Sequence, residues 1–123
     1  LGLPGATKIF PSAMQAIINM IDHGMSPQEA VESPRVWTQG QELEIEGGFD
    51  PGVVAELVAL GHDTKEVRAV GGGMNMIHFD TEQQDDGGGG DRPRLTGSAC
   101  WRADGTAVGI GGGTARAGSR FDI

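Results

Sequence analysis

The 123-residue sequence predicts an α+β fold, with helices first and antiparallel strands after them. Two observations carry that expectation. Near the N-terminus apolar residues recur at helical spacing, with Met14, Ile17, Ile18 and Ile21 on one stripe. From Thr64 onward the pattern changes to short β-prone runs separated by glycine turns and an Asp-Gly pair.

The first helix is expected from about Ser12 to His23, ended by Gly24 in the left-handed conformation. Ser26-Pro27-Gln28-Glu29 restarts the chain as a helix. Ser26 is the cap, Pro27 suits the first helical position and Glu29 completes a capping box. This second helix is short, because Ser33 precedes Pro34 and is pushed out of the helical region. Leu43 to Glu46 alternates apolar and acidic residues and reads as a half-buried strand. Asp50-Pro51 opens a third helix, whose buried side would be Val53, Val54, Leu57, Val58 and Leu60, with Gly61 ending it.

Thr64 to Val67 and Met74 to Phe79 are the next expected strands, with Gly71-Gly72-Gly73 a turn or a close backbone approach between them. Residues Thr81 to Pro93 carry an acidic run and four consecutive glycines. They cannot bury apolar area and are expected to form a mobile surface loop. Ala99 to Arg102 and Thr106 to Ile110 flank Ala103-Asp104-Gly105 and read as a hairpin.

Composition excludes several functions. The formal net charge is -8, so clustered cations for phosphate contacts are missing and nucleic acid is not an expected partner. The same balance argues against a polybasic membrane patch. With 22 glycines and 37% hydrophobic residues the core should be modest. Cys100 is the single cysteine, so no internal disulfide can form. The chain opens on Leu1 rather than methionine, which suggests a processed piece of a longer chain.

Few residues invite chemistry. Gly2 to Lys8 forms a tight turn just before the first helix. Such a turn can aim backbone N–H groups at an anion, although it also reads as an ordinary helix entry. His23, His62 and His78 lack zinc spacing, and Asp85, Asp86 and Asp91 lack the closing glutamate of a calcium loop, so no metal or other cofactor is expected. Gly71 to Gly73 and Gly111 to Gly113 do not continue into a phosphate-loop motif. Cys100 has no base in its local sequence and reads as a small buried side chain. Trp37 and Trp101 read as packing residues, and no serine elbow occurs.

Several segments taken in order carry a resemblance. Leu1-Gly2-Leu3-Pro4-Gly5-Ala6-Thr7-Lys8-Ile9 resembles the G-x-P-G-[GS]-[ST]-[RK]-I segment of γ-glutamyltranspeptidases. Gln15 to Met25, then Gln28-Glu29-Ala30-Val31 and Ser33-Pro34-Arg35, follow in family order, as do Glu44 to Gly48 and Leu57 to His62. Near the end Gly97 to Gly105 is similar to the family's G-x-x-D-P-R turn, with Cys100-Trp101 standing for Asp-Pro.

The resemblance implies part of a four-layer αββα N-terminal-nucleophile hydrolase sandwich, and residues 1–123 would be the C-terminal subdomain of its small subunit. It implies an enzyme that cleaves γ-glutamyl amides such as glutathione through a threonine acyl-enzyme and passes the acyl group to water or an amino-acid acceptor. No catalytic residue is expected in this chain, because the nucleophilic threonine would lie upstream of Leu1. By position, the backbone N–H groups of Gly5 and Ala6 would line the oxyanion hole. Expected partners are the upstream small-subunit segment, the large subunit and γ-glutamyl small molecules. The isolated chain would also self-associate through strands near Met74 to Phe79 or Ala99 to Ile110. The family's location implies the periplasm or the extracellular space. A related acylase with another acyl specificity, or a non-enzymatic module on the same fold, are the alternatives.

Overall fold

A computed structural model describes residues 1–84, 93–103 and 114–115. Helices and strands mix as expected. After a 3₁₀ turn at Ala6–Lys8 come α1 (Ile9–Ile21), α2 (Pro27–Glu32), β1 (Val36–Thr38), β2 (Leu43–Glu46) and α3 (Pro51–Ala59). They are followed by β3 (Thr64–Val67), β4 (Asn75–Gln84), β5 (Pro93–Ala99) and β6 (Thr114–Ala115).

The caps read from sequence are present. Ser26 Oγ accepts from the Glu29 N–H at 3.3 Å and Glu29 returns a carboxylate to the Ser26 N–H at 2.8 Å. Asp50 accepts from the Gly52 N–H at 2.7 Å and so starts α3. Such caps satisfy donors that have no partner inside the helix. The helix α1 begins three residues before the expected Ser12, because the 3₁₀ turn already winds the chain ahead of it.

Two three-stranded sheets result, ordered β1-β2-β3 and β4-β5-β6. The expectation of antiparallel strands holds for β1–β2 and β4–β5, whereas β2–β3 and β5–β6 are parallel. The parallel β2–β3 pair follows from connectivity, since α3 intervenes and a helical crossover returns the chain in the same direction. Strand β1 had no sequence signal beyond Val36-Trp37. It is held from outside by Gln15 of α1, whose amide donates to Val36 O and accepts from Val36 N, both at 2.9 Å.

The long β4–β5 pair revises the expected loop over Thr81 to Pro93. Thr81 to Gln84 belong to β4 and Pro93 opens β5, with Gln84 opposite Pro93 beyond a register shift that begins at Asp80. The remainder of that loop, 85–92, lies outside the described residues. The expected hairpin is also displaced: β5 ends at Ala99 and 101–103 form a turn, while its second arm, Thr106 to Ile110, is not among the described residues.

The core sits between the helices and the inner face of β4–β5. Ala16, Val31, Met74, Met76 and Cys100 form it, with Leu3 and Met20 packed against it. Gln28 fastens α2 to this sheet by donating to Ala99 O at 2.8 Å.

The expected apolar stripe of α1 does not point there. Met14, Ile17, Ile18 and Ile21 are exposed, and Ser12 and Ala16 take the buried positions. Their small side chains let the helix approach the backbone at Gly71, where a methyl group would meet Ser12 Oγ at 3.4 Å. The helix α3 likewise buries no residue, with Val53, Val58 and Leu60 exposed and only Val54 and Leu57 half-covered. Ile77, Phe79 and Leu95 form an exposed apolar patch on the outer face of β4–β5, with Phe79 directly opposite Leu95.

A second, polar centre joins the two sheets. The Glu46 carboxylate is fully buried and accepts from the Arg35 N–H at 2.9 Å, the Val70 N–H at 2.6 Å, and both Nε (2.7 Å) and Nη2 of Arg102. Sequence alternation had put Glu46 on the solvent side of β2; burial is tolerated because every hydrogen bond is supplied.

Neutralising that carboxylate leaves the buried Arg102 guanidinium without its counter-charge and turns one of the two acceptor oxygens into a donor that faces other donors. Glu46→Gln is expected to lower unfolding stability by about 3–5 kcal/mol, read as a fall in the urea midpoint at unchanged slope. An unchanged midpoint would show that the cluster is energetically neutral.

The exposed sheet face makes a second expectation. The isolated chain should self-associate through Ile77, Phe79 and Leu95, and Phe79→Lys should return it toward monomer. Light scattering of both forms across a concentration series checks it, and a monomeric parent chain would refute it.

Candidate oxyanion turn

The chain enters its first helix through a backbone that few residues adopt. Gly5 has φ 144° and ψ 18°, and Ala6 has φ 50°. Ala6 is the one non-glycine residue with positive φ among the described residues. A left-handed alanine costs roughly 1–2 kcal/mol, so the surrounding structure must impose it.

What imposes it is a facing loop. Pro4 O accepts from the Gly72 N–H at 2.8 Å, and Gly2 and Asn75 exchange two backbone hydrogen bonds of 2.9 Å. On the helix side, the Lys8 N–H donates to Gly5 O at 2.9 Å and closes the 3₁₀ turn. Lys8 is fixed in turn by an ion pair with Glu44 of β2 and by the Trp37 ring of β1, whose centroid lies 4.5 Å from Nζ.

The backbone N–H groups of Gly5 and Ala6 have no acceptor among the described residues. Successive donors in a turn of this kind form a concavity suited to an anion or to a developing oxyanion. The two residues singled out from sequence are therefore adjacent, exposed and free to donate. Among the described residues no group of three or more His, Cys, Asp or Glu side chains could hold a metal ion.

Sequence reasoning missed the support behind the turn. Arg35 is buried, and its Nη1 donates to Val70 O at 3.1 Å and Gly72 O at 3.0 Å. Cys100 is buried as expected, but it is more than filler: its Sγ accepts from the Met74 N–H at 3.0 Å and lies 4.0 Å from Arg35 Nη2. Arg102 braces the opposite side by donating to Val31 O at 2.9 Å and Ser33 O at 2.7 Å.

Electrostatics separate the two arginines. Burial pushes the Arg35 guanidinium below its ordinary pKa and the Arg102 charge adds to this, while Cys100 and Glu46 oppose it. Burial acts in the same direction on Arg102, yet its hydrogen bonds and ion pair with Glu46 outweigh it and the group rises above its ordinary value. Trp101, expected as a packing residue, stacks on Arg102 at 4.6 Å and donates its Nε1–H to Glu32 O at 3.3 Å.

Comparison with known proteins places these residues within a family match. The family model described as gamma-glutamyltranspeptidase matches residues 1–110. An acylase ACY 1 proenzyme of Pseudomonas sp. (strain SE83) is 57% identical over 123 residues, which is 100% of this chain and 20% of that protein. A glutathione hydrolase proenzyme of Escherichia coli (strain K12) is 32% identical over 78 residues, covering 62% of this chain and 13% of that protein. The crystal structure of a Helicobacter pylori gamma-glutamyltranspeptidase mutant superposes with a TM-score of 0.72 at 28% identity, covering 83% of this chain and 52% of that one. The chain thus spans at most 20% of the length of these two curated relatives.

If Ala6 is strained as its φ implies, Ala6→Gly should stabilise the fold by about 1 kcal/mol. Denaturant titration of the two forms measures this. A destabilised glycine variant would mean that the alanine conformation is relaxed.

Proposed function

The chain belongs to the γ-glutamyltranspeptidase family, and from that premise we propose that it is the C-terminal subdomain of the small subunit of an amide-cleaving acyl-transfer enzyme. The observation that carries the proposal is the strained Gly5–Ala6 turn, whose two neighbouring N–H donors have no acceptor among the described residues. Its task is to stabilise negative charge as it forms. A threonine supplied by an upstream segment attacks the amide carbonyl carbon, with its α-amine taking the hydroxyl proton. The carbonyl oxygen becomes an oxyanion and accepts from Gly5 and Ala6. Collapse expels the amine, which leaves with the proton, and water or an acceptor amine then releases the acyl group.

On acyl specificity, the identity to the Pseudomonas acylase runs the whole length of the chain and favours a side-chain acylase. γ-Glutamyl hydrolysis or transfer is the second reading, supported by the 32% identity over 78 residues to a glutathione hydrolase proenzyme. The partners in either case are the remaining segments of the longer protein. They would cover the outward stripe of α1 and the Ile77, Phe79 and Leu95 face.

The longer protein, offered a panel of acyl anilides that includes the γ-glutamyl form, is expected to cleave at least one with an acyl-enzyme burst. The isolated 123-residue chain is expected to cleave none. Ala6→Pro in the longer protein removes one donor and should cost about 10²–10³ in kcat with little change in KM. A proline variant that folds, processes itself and turns over normally would remove Ala6 from the oxyanion hole.

A further inference from the structure

The reading of Gly5 and Ala6 as oxyanion donors leaves open what sets their position. Three consecutive glycines, Gly71, Gly72 and Gly73, face the turn and its surroundings, and each is in close contact with a different part of the chain. A methyl group built on Gly5 would stand 3.0 Å from Gly71 Cα, so the two backbones already touch. One built on Gly72 would stand 2.5 Å from Pro4 Cγ, 3.0 Å from Pro4 Cδ and 3.2 Å from Pro4 O. One built on Gly73 would stand 2.4 Å from Ala103 Cβ. A proline ring cannot rotate away as a long side chain would, so any side chain at 72 must push Pro4, and with it Gly5 and Ala6.

The loop that receives Pro4 is itself fixed from behind. Val70 donates its N–H to Glu46 at 2.6 Å, Val70 O and Gly72 O both accept from Arg35, and the Met74 N–H is taken by Cys100. The hydrogen bond from the Gly72 N–H to Pro4 O, at 2.8 Å, then passes this fixed position to the turn. A route of packed contacts therefore runs from the buried Glu46–arginine cluster through Gly72 to Pro4, and ends at the two donors.

We propose that Gly72 is a positioning residue for the oxyanion hole: its missing side chain and its N–H together hold Pro4, and so set where the Gly5 and Ala6 donors lie. This rests on the assignment of those donors above. Gly72 touches no reacting atom. Its closest contacts to the turn are with Pro4, and acting through that ring its influence should fall on the transition state and not on ground-state binding.

The test is a double-mutant cycle in the longer protein with Gly72→Ala and Pro4→Ala, followed by kcat and KM on an amide that the parent cleaves. Gly72→Ala is expected to lower kcat by about 10²-fold with KM within about twofold. The drop should shrink at least tenfold in the Pro4→Ala background, where Cγ and Cδ are gone. A merely structural role would lower stability without that relief. Amide NMR gives a readout independent of turnover: the Gly5 and Ala6 resonances should shift in Gly72→Ala and move back in the double variant. Unchanged kcat in a folded Gly72→Ala protein, or a loss of equal size in both backgrounds, overturns the proposal. So do unmoved Gly5 and Ala6 resonances. Normal turnover in Ala6→Pro would instead remove the donor assignment itself, which keeps the two failures apart.

Discussion

The buried Glu46 carboxylate is the constraint around which the described structure is arranged. It sits on β2, in one sheet, yet its hydrogen bonds come from Arg35 ahead of β1, from Val70 ahead of the glycine loop and from Arg102 beyond β5. A charge in that position is tolerable only with its full set of donors, because removing ions from water costs several kcal/mol each. The cluster thus works as a specificity device: pairings that misplace β2 against the β4–β5 layer leave a charge unpaired in the interior. The apolar core, built from small and medium residues such as Ala16, Val31 and Met76, is less discriminating.

The cluster is not charge-balanced. Two buried guanidinium groups, Arg35 and Arg102, lie near a single carboxylate that pairs with Arg102, and Cys100 stands where the resembling family motif has an aspartate. Arg35 spends its donors on backbone carbonyls, Val70 O and Gly72 O among them, with Cys100 Sγ 4.0 Å from Nη2. The excess positive charge lies behind the loop that supports the proposed oxyanion turn, where a field of that sign favours negative charge.

The surfaces left bare are as informative as the core. Phe10 and Ile21 at the two ends of α1 are 73% and 76% exposed, and the outer face of β4–β5 carries Phe79 at 60%. Apolar area of this kind is normally covered by another layer. The outward faces of α1 and of β4–β5 are thus free to meet a further layer, as in the layered sandwich that the family resemblance implies.

Local sequence determined what local physics controls. Ser26, Pro27 and Glu29 fix a helix start, Gly24 and Gly61 fix helix ends with φ of 65° and 97°, and Gly2 to Lys8 marks the turn of interest. The family resemblance added the proposed roles of Gly5 and Ala6, which residue types alone left as an ordinary turn. Tertiary structure decided the rest. Periodicity in α1 announced an apolar face without saying what it meets, and the chain's own sheet took Ser12 and Ala16 instead. Strand direction was not legible either, because β-prone runs look alike whether a hairpin or a helix joins them. Glu46 read as a solvent-facing acid since alternation carries no knowledge of Arg102, 56 positions away. The strain at Ala6 and the close fit of Gly72 on Pro4 were hidden for the same reason. Each arises from segments that approach only after the chain has folded, across 66 or 68 residues that no local pattern spans.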